Sequence, residues 1–481
     1  MREGPASAVA DRQQCNPIGT RAASETDDDA IVRSKPVPMA TLTRRSFLAG
    51  SAAVAAVPVS AIAAVQPDFD VVIVGAGAAG VAAARRIAAA GRKYVVLEAS
   101  DRWGGRCFTD VRTFRIPYER GARYIYMPDI NPLAKLASKA GLDVYPAPPG
   151  QRLRVGLRNA REGEMEDFLV QLLRCNHSIS DATRGSVDVS CAQALPNDLG
   201  DWRPTIEYVL GEFGRGKALS NISAMDFAKS ADREVAGLCR QGLGTLIGKL
   251  AFGSPIQFSS PVTRIGWGGR LVEAETRGTV LTARTAIVTA STGVLSSGKI
   301  KFQPALPARH HEAIGKLGLG SHEHVAIEFS GNVLGLRSDD LVFEKAGDSR
   351  TAALLANVSG SRLCVVDVGG MLAADLVEDG EGAMTTFAID WLTGLFGTNL
   401  RRAVERTQAT RWTKEPWILG AFSAASPGGQ WARTALSEPL GERVWFAGEA
   451  VHETLWGTVA GAWEVGERAA DAALKRLTKT N

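Results

Sequence analysis

The residues that could do chemistry gather first at a glycine-rich turn. Gly75-Ala76-Gly77-Ala78-Ala79-Gly80 follows the run Asp70-Val71-Val72-Ile73-Val74, and Glu98 stands 18 residues after Gly80. This is GxGxxG with an acid at the distance that a dinucleotide-binding turn requires. Gly75, Gly77 and Gly80, with Ala79 among them, let backbone N–H groups approach a pyrophosphate at a helix N-terminus. Glu98 can accept hydrogen bonds from ribose hydroxyls. Alone, the motif leaves NAD and FAD equally open.

The residues after the acid decide between them. Asp101-Arg102-Trp103-Gly104-Gly105-Arg106 resembles the RxGGR segment that flavoproteins of the amine oxidase family place after their ribose-binding Glu, and Arg106 lies eight residues after Glu98 as it does there. Gly121-Ala122-Arg123-Tyr124-Ile125-Tyr126 is similar to the family's Gly-Ala-x-Trp-Ile-His stretch, with Tyr124 for Trp and Tyr126 for His. Phe446-Ala447-Gly448-Glu449 and Gly457-Thr458-Val459-Ala460-Gly461-Ala462 complete the resemblance, which covers most of residues 68–478. It is to the flavin-containing amine oxidases of the monoamine oxidase, polyamine oxidase and histone-demethylase type.

That resemblance implies FAD. Arg102, Gly105 and Arg106 would serve its diphosphate, Gly121, Ala122 and Arg123 its flavin end, the Val262 backbone its adenine, and Gly448 and Glu449 its ribitol chain. Thr458 and Val459 would start a closing helix whose positive end faces the flavin pyrimidine ring. Ala421 occupies the site of the Cys that links covalently to flavin in monoamine oxidases, so FAD is expected to be non-covalent. On the substrate side the resemblance implies an aromatic wall of Phe422, Trp456 and Tyr124. Thr458 and Phe422 look like the polyamine oxidase branch, but the acid some of those enzymes carry at the site of Tyr126 is missing. Where the family has a Lys that holds a water near flavin N5, this chain has His324. The alternating Val325, Ile327 and Phe329 also permit a solvent-facing His324 beside His322 and Glu328.

The implied reaction is oxidation of a C–N bond in a small primary or secondary amine, a polyamine among the options, to an imine. Electrons would pass to O₂ or to an exported cytochrome. Three alternatives stay open: an amine dehydrogenase; an L-amino-acid oxidase, which needs an Arg to clamp the carboxylate; and a non-catalytic flavoprotein.

These residues need elements to position them. The continuous apolar runs 70–74, 93–98 and 286–290 read as buried parallel strands. Helices are expected at 81–90, 162–175, 204–212, 245–251 and 459–477. The fold class is α/β: a Rossmann-like FAD-binding domain (66–145, 236–297 and 406–478) with an interleaved α+β substrate domain (146–235 and 298–405). Residues 146–235 carry no clear signature.

Composition narrows the remaining classes. Lys+Arg 55 against Asp+Glu 51 gives +4, which leaves no electrostatic footprint for nucleic acid. Six Cys without a CxxC pair argue against a zinc site or a disulfide scaffold, and no metal is expected. Residues 1–64 read as a disordered stretch and an export leader. Thr43-Arg44-Arg45-Ser46-Phe47-Leu48 resembles a twin-arginine signal; a charge-free run over 46–67 and Ala61-Ile62-Ala63, an A-x-A cleavage pattern, follow. The run is diluted by Gly50, Ser51, Pro58 and Ser60, so a stable membrane anchor is not expected. The expected destination is the periplasm, reached in the folded state. Met39 offers a later start that gives a leader of ordinary length.

Overall fold

The computed structural model describes residues 66–479 except 232 and 234. The leader, with Arg44 and Arg45, lies outside the described residues. Two large sheets organise the rest. The first has Phe69–Val74 at its centre, paired in parallel with Tyr94–Leu97 on one side and Thr279–Val288 on the other. Ile256–Gln257 extends it in parallel beyond Tyr94–Leu97. Thr279–Val288 divides its length: its first half pairs with the antiparallel Val272–Thr276, its last residues with the parallel Val444–Phe446. The apolar run over 286–290 is thus the end of one long strand. Val262–Gly266 and Lys301–Gln303 complete the sheet. Val71, Val72, Ile73, Val96, Ile287 and Val288 are at most 1% exposed, because helices cover both faces.

Two of those helices meet over the dinucleotide turn. Ala78–Ala89 is rich in alanine and ends before Gly91, whose φ of +65° stops it. Val459–Thr478 packs against it closely enough that a Cβ on Gly466 would stand 2.2 Å from the Ala79 carbonyl oxygen. Gly80 is held as tightly, since its Cβ would fall 1.9 Å from the Gly75 oxygen.

The second sheet runs Val404–Ala409, His322–Phe329, Leu363–Gly369, Ala353–Leu355, Leu341–Glu344, Arg152–Val155 and Arg158–Asn159. Lys301–Gln303 therefore lies in the first sheet although it follows residue 297, and Val404–Ala409 ends in the second although it passes 405. Helices Gly370–Asp379 and Glu381–Phe396 cover one face, where Val325, Ile327 and Phe329 meet Trp391 and Leu392. The opposite face is covered too, by Phe114 and Tyr118 over Ala326. All eight residues of His322–Phe329 are buried as a result, and a solvent-facing His324 is excluded. Between the sheets' sequence blocks, Glu162–Ala182 and Arg203–Glu207 build a helical layer, and the latter runs on into a π-helical turn, Tyr208–Phe213.

Close packing sets the first expectation. Gly466→Ala should destabilise the protein by about 1–3 kcal/mol, as overpacked sites do. Gly315→Ala, in the helix Ala308–Lys316 where a Cβ meets nothing within 4 Å, should be neutral or stabilising by up to about 1 kcal/mol. Urea unfolding of the two variants checks this; equal stabilities would show that the helix contact is loose.

Candidate active site

One cavity of about 470 Å³ runs from the dinucleotide turn to the second sheet. Gly75, Gly77, Ala79, Glu98, Arg102, Gly105 and Val262 line its first end. Gly75 has φ +101°, and a Cβ there would strike the Thr289 hydroxyl at 2.5 Å. Gly80 does not reach the cavity; its place is the strand–helix contact described above. The helix Ala78–Ala89 starts at Gly77 with no side-chain cap and no acid in its first turn. Its first N–H groups therefore present an open positive end to the cavity. The bridge between Gly77 and Gly104 lays the 104–105 glycines beside that end. Glu98 accepts from the Ala76 N–H at 2.6 Å, the Ser100 N–H at 2.8 Å and the Ser100 hydroxyl at 2.7 Å. A carboxylate has about four acceptor positions, so capacity for a ribose hydroxyl remains. An uncapped helix end, a cradle that only glycine permits and a buried acceptor acid fit the diphosphate and ribose of a dinucleotide.

The middle of the cavity is tied by Glu449. Its carboxylate accepts from Arg106 Nη1 at 2.8 Å, the Ser423 hydroxyl at 2.8 Å, the Ser423 N–H at 3.2 Å and the Gly457 N–H at 2.8 Å. Arg106 also donates to the Ala421 carbonyl. Arg106 and its hydrogen bonds outweigh burial and hold Glu449 below the usual carboxylate range. Gly121, Ala122, Ala421, Gly448 and Val459 line the same stretch. Thr458 lines it as well, but its hydroxyl is committed: it accepts from Gly461 N–H at 3.0 Å as a helix cap and donates to the Leu455 carbonyl. The cavity-facing Cys107 is a thiol pushed up to about 12 by burial, so it is not a nucleophile at ordinary pH.

The far end holds Tyr124, Phe422, Arg123 and His324, and also residues that sequence reasoning missed: Asp367, Phe213, Arg215 and Arg233. Arg123 pairs with Asp367, and His324 Nδ1 lies 2.5 Å from Asp367 Oδ1. The same Nδ1 lies 2.7 Å from Arg123 Nη2, so the ring edge is held between a guanidinium that can only donate and a carboxylate that can only accept. His324 lines the cavity. Burial, then the Arg123 cation, lower His324 to about 4, so the ring is neutral at ordinary pH. Arg123 itself is raised and Asp367 lowered by their mutual attraction. Trp456 departs from its expected place. Its side chain is 0% exposed and packed among the helical layer, behind the cavity wall, whereas the residues that follow it, Gly457, Thr458 and Val459, reach the cavity. Its neighbour in sequence, not its ring, carries the wall.

Burial of a neutral imidazole has a pH consequence. Between about pH 6.5 and 4 the unfolded chain takes up a proton at position 324 that the folded chain refuses, so stability falls with pH through that window. Glu119 and Glu212, both pushed up to about 7 by burial, act in the opposite sense between their ordinary range and 7. The test is therefore a difference. His324→Gln should be less stable than the parent at about pH 7, and the gap in Tm should narrow toward about pH 5. A gap that stays constant or widens refutes a buried neutral His324.

Comparison with known proteins agrees with this architecture. The description "Flavin containing amine oxidoreductase" matches residues 78–474. Lysine-specific histone demethylase 2 of Homo sapiens is 28% identical over 438 residues, covering 83% of this chain and 53% of that protein. Probable polyamine oxidase 4 of Arabidopsis thaliana is 28% identical over 445 residues, covering 84% and 86%. The chain spans about half the length of the histone demethylases it matches. Among solved structures, cyclohexylamine oxidase from Brevibacterium oxydans IH-35A superposes with a TM-score of 0.72 at 21% identity, covering 86% of this chain and 100% of that one. Putrescine oxidase bound to putrescine gives 0.73 at 18%, covering 85% and 99%. At those identities the structures speak for the fold. The sequence match speaks for more, because it takes in nearly every described segment that lines the cavity: this chain belongs to the flavin-containing amine oxidoreductases, and its cofactor is FAD.

Proposed function

We propose that this chain oxidises the C–N bond of a small primary or secondary amine to an imine, with electrons passed to O₂. The observation that carries the reading is the single cavity joining the dinucleotide turn to a buried end lined by Tyr124, Phe422 and the neutral His324. When bound, FAD supplies the hydride acceptor. The protein's share is to orient and to dry. Phe422 and Tyr124 offer flat faces to an amine. The neutral His324 ring can hydrogen-bond an amine in the cavity, and it carries no charge that would compete with the substrate. The low-dielectric surroundings favour the neutral amine over the ammonium. The imine then hydrolyses in water. Oxidases among the structural neighbours support O₂ as acceptor. Ala421, on the cavity wall, and the un-ionised Cys107 support non-covalent FAD.

A panel of primary and secondary amines should bleach the flavin anaerobically, and air should restore the colour with formation of H₂O₂. Bleaching without O₂ consumption would turn the reading to an amine dehydrogenase; no bleaching by any amine would end it. Denaturation should release free FAD, and flavin that stays with the polypeptide would refute the non-covalent reading. His324→Ala should keep its FAD and slow one of the two half-reactions by about 10-fold or more, the scale of a lost hydrogen bond to a reacting group. Unchanged reduction and reoxidation would remove His324 from the chemistry.

The periplasm is proposed as the destination, on the Arg44-Arg45 pair, the charge-free run and Ala61-Ile62-Ala63. Among the described residues no helix is long and apolar enough to cross a membrane. Replacing Arg44 and Arg45 by Lys should leave uncleaved precursor in the cytoplasm; normal export of that variant would refute the proposal.

A further inference from the structure

We propose that Arg215 and Arg233 form a carboxylate-binding subsite at the far end of the cavity, so that the substrate is an amine that also carries a carboxylate. This rests on the amine-oxidation reading and narrows its substrate class.

The starting observation is an excess of buried positive charge. Three guanidinium groups surround the Trp456 indole, with Cζ to ring-centroid distances of 4.5 Å for Arg433, 5.1 Å for Arg215 and 5.2 Å for Arg233. Arg433 is matched: Asp226 takes it in a two-pronged pair, both bonds 2.7 Å. The other two are not matched by any carboxylate among the described residues. Arg215 donates to the Gly214 carbonyl at 2.9 Å and the Ser230 hydroxyl at 3.1 Å, and its Nε has no partner. Arg233 donates to the Trp456 carbonyl at 2.5 Å. The nearby carboxylate of Glu449 is already held by Arg106. Contacts with aromatic faces compensate only part of the hydration that a guanidinium gives up on burial. Burial and mutual repulsion accordingly push Arg215 well below its ordinary range.

Both arginines line the cavity. A Cβ on Gly457 would lie 3.6 Å from the Phe422 ring and 3.7 Å from Arg233 Nη2, so the guanidinium stands beside the same wall as Phe422. Arg215 is delivered by the π-helical turn Tyr208–Phe213, a local distortion frequent at functional sites. Two guanidinium groups that line a cavity and meet no carboxylate among the described residues suit a carboxylate ligand, which a guanidinium can grip with parallel N–H bonds. They do not suit a second ammonium. A diamine would bring its distal cation against them, whereas an amino acid brings the missing anion. The Tyr126 ring stands 5.7 Å from Arg233 and brings no carboxylate to it.

The test compares matched probes on the FAD-loaded protein. Ornithine should be oxidised with a higher kcat/KM than putrescine, lysine than cadaverine, and phenylalanine than phenethylamine. Benzoate, which cannot be oxidised, should bind in calorimetry and perturb the flavin spectrum. Arg233→Met and Arg215→Met should each raise the benzoate Kd by roughly 10- to 100-fold, the worth of one charged hydrogen bond. Each should also reduce the preference for the carboxylate partner of every pair. Arg233→Lys keeps the charge and should fall between, which separates binding from misfolding; retained FAD checks the fold in every variant. Asp232→Asn with Glu234→Gln serves as the control, and the benzoate Kd should stay unchanged. Diamines preferred over amino acids, an unaltered benzoate Kd in both Met variants, or a large gain in benzoate affinity in the control would overturn the subsite. If nothing is oxidised yet benzoate binds through Arg233, the subsite stands and the oxidation reading falls.

Discussion

The Glu449 carboxylate is the constraint on which the site depends. Its donors come from Arg106, from Ser423 and from Gly457, three stretches that share no secondary-structure element. A buried carboxylate costs several kcal/mol unless each oxygen is matched, so the four donors are fixed relative to one another. Fixing them also fixes what they carry. The glycine loop at 104–105 comes with Arg106, the Ala421-Phe422 wall with Ser423, and the start of the closing helix with Gly457. The cavity floor is therefore one rigid piece although the chain crosses it three times.

Charge matching separates the two ends of that cavity. Arg106 with Glu449, Arg123 with Asp367 and Arg433 with Asp226 are closed pairs. Such pairs add little net stability over an apolar alternative, but breaking one is expensive, and that makes them good positioning devices. Arg123 and Asp367 use this to hold the His324 ring in place, and burial together with the Arg123 cation keeps it uncharged. Beside Trp456, Arg215 and Arg233 line the cavity without a carboxylate partner among the described residues.

Much of the nucleotide end was legible in the sequence because its logic is local. A β-branched run, a glycine turn, an alanine helix and an acid 18 residues on interact within one strand–helix–strand unit, and the structure keeps every one of them in that order. The far end was legible only in part. His324 could be flagged from its position on a strand, but its partners are 201 and 43 residues away, and no spacing rule finds them. Whether it faced solvent depended on which elements cover the second face of its sheet, which alternation within one strand does not encode. Trp456 was misplaced for a related reason: adjacency to Gly457 says nothing about which of two neighbouring side chains faces inward. Arg215, Arg233 and Phe213 were missed because a π-helical turn and contacts with the C-terminal segment aim them, and neither leaves a periodic trace. The one available signal was compositional, arginines in a stretch that carries no other signature.

The order of strands in the first sheet has a consequence for how the protein is made. Its founding strand, Phe69–Val74, leaves the ribosome well before Val444–Phe446, which joins the same sheet, and the helix Val459–Thr478, which packs on the turn. At about 5–20 residues per second, roughly 400 residues of synthesis separate the two, on the order of 20–80 s. Throughout that interval the nucleotide end lacks its lid helix and the Glu449 carboxylate that ties the floor. Tight cofactor uptake thus waits for the segment 444–478 rather than for the glycine turn.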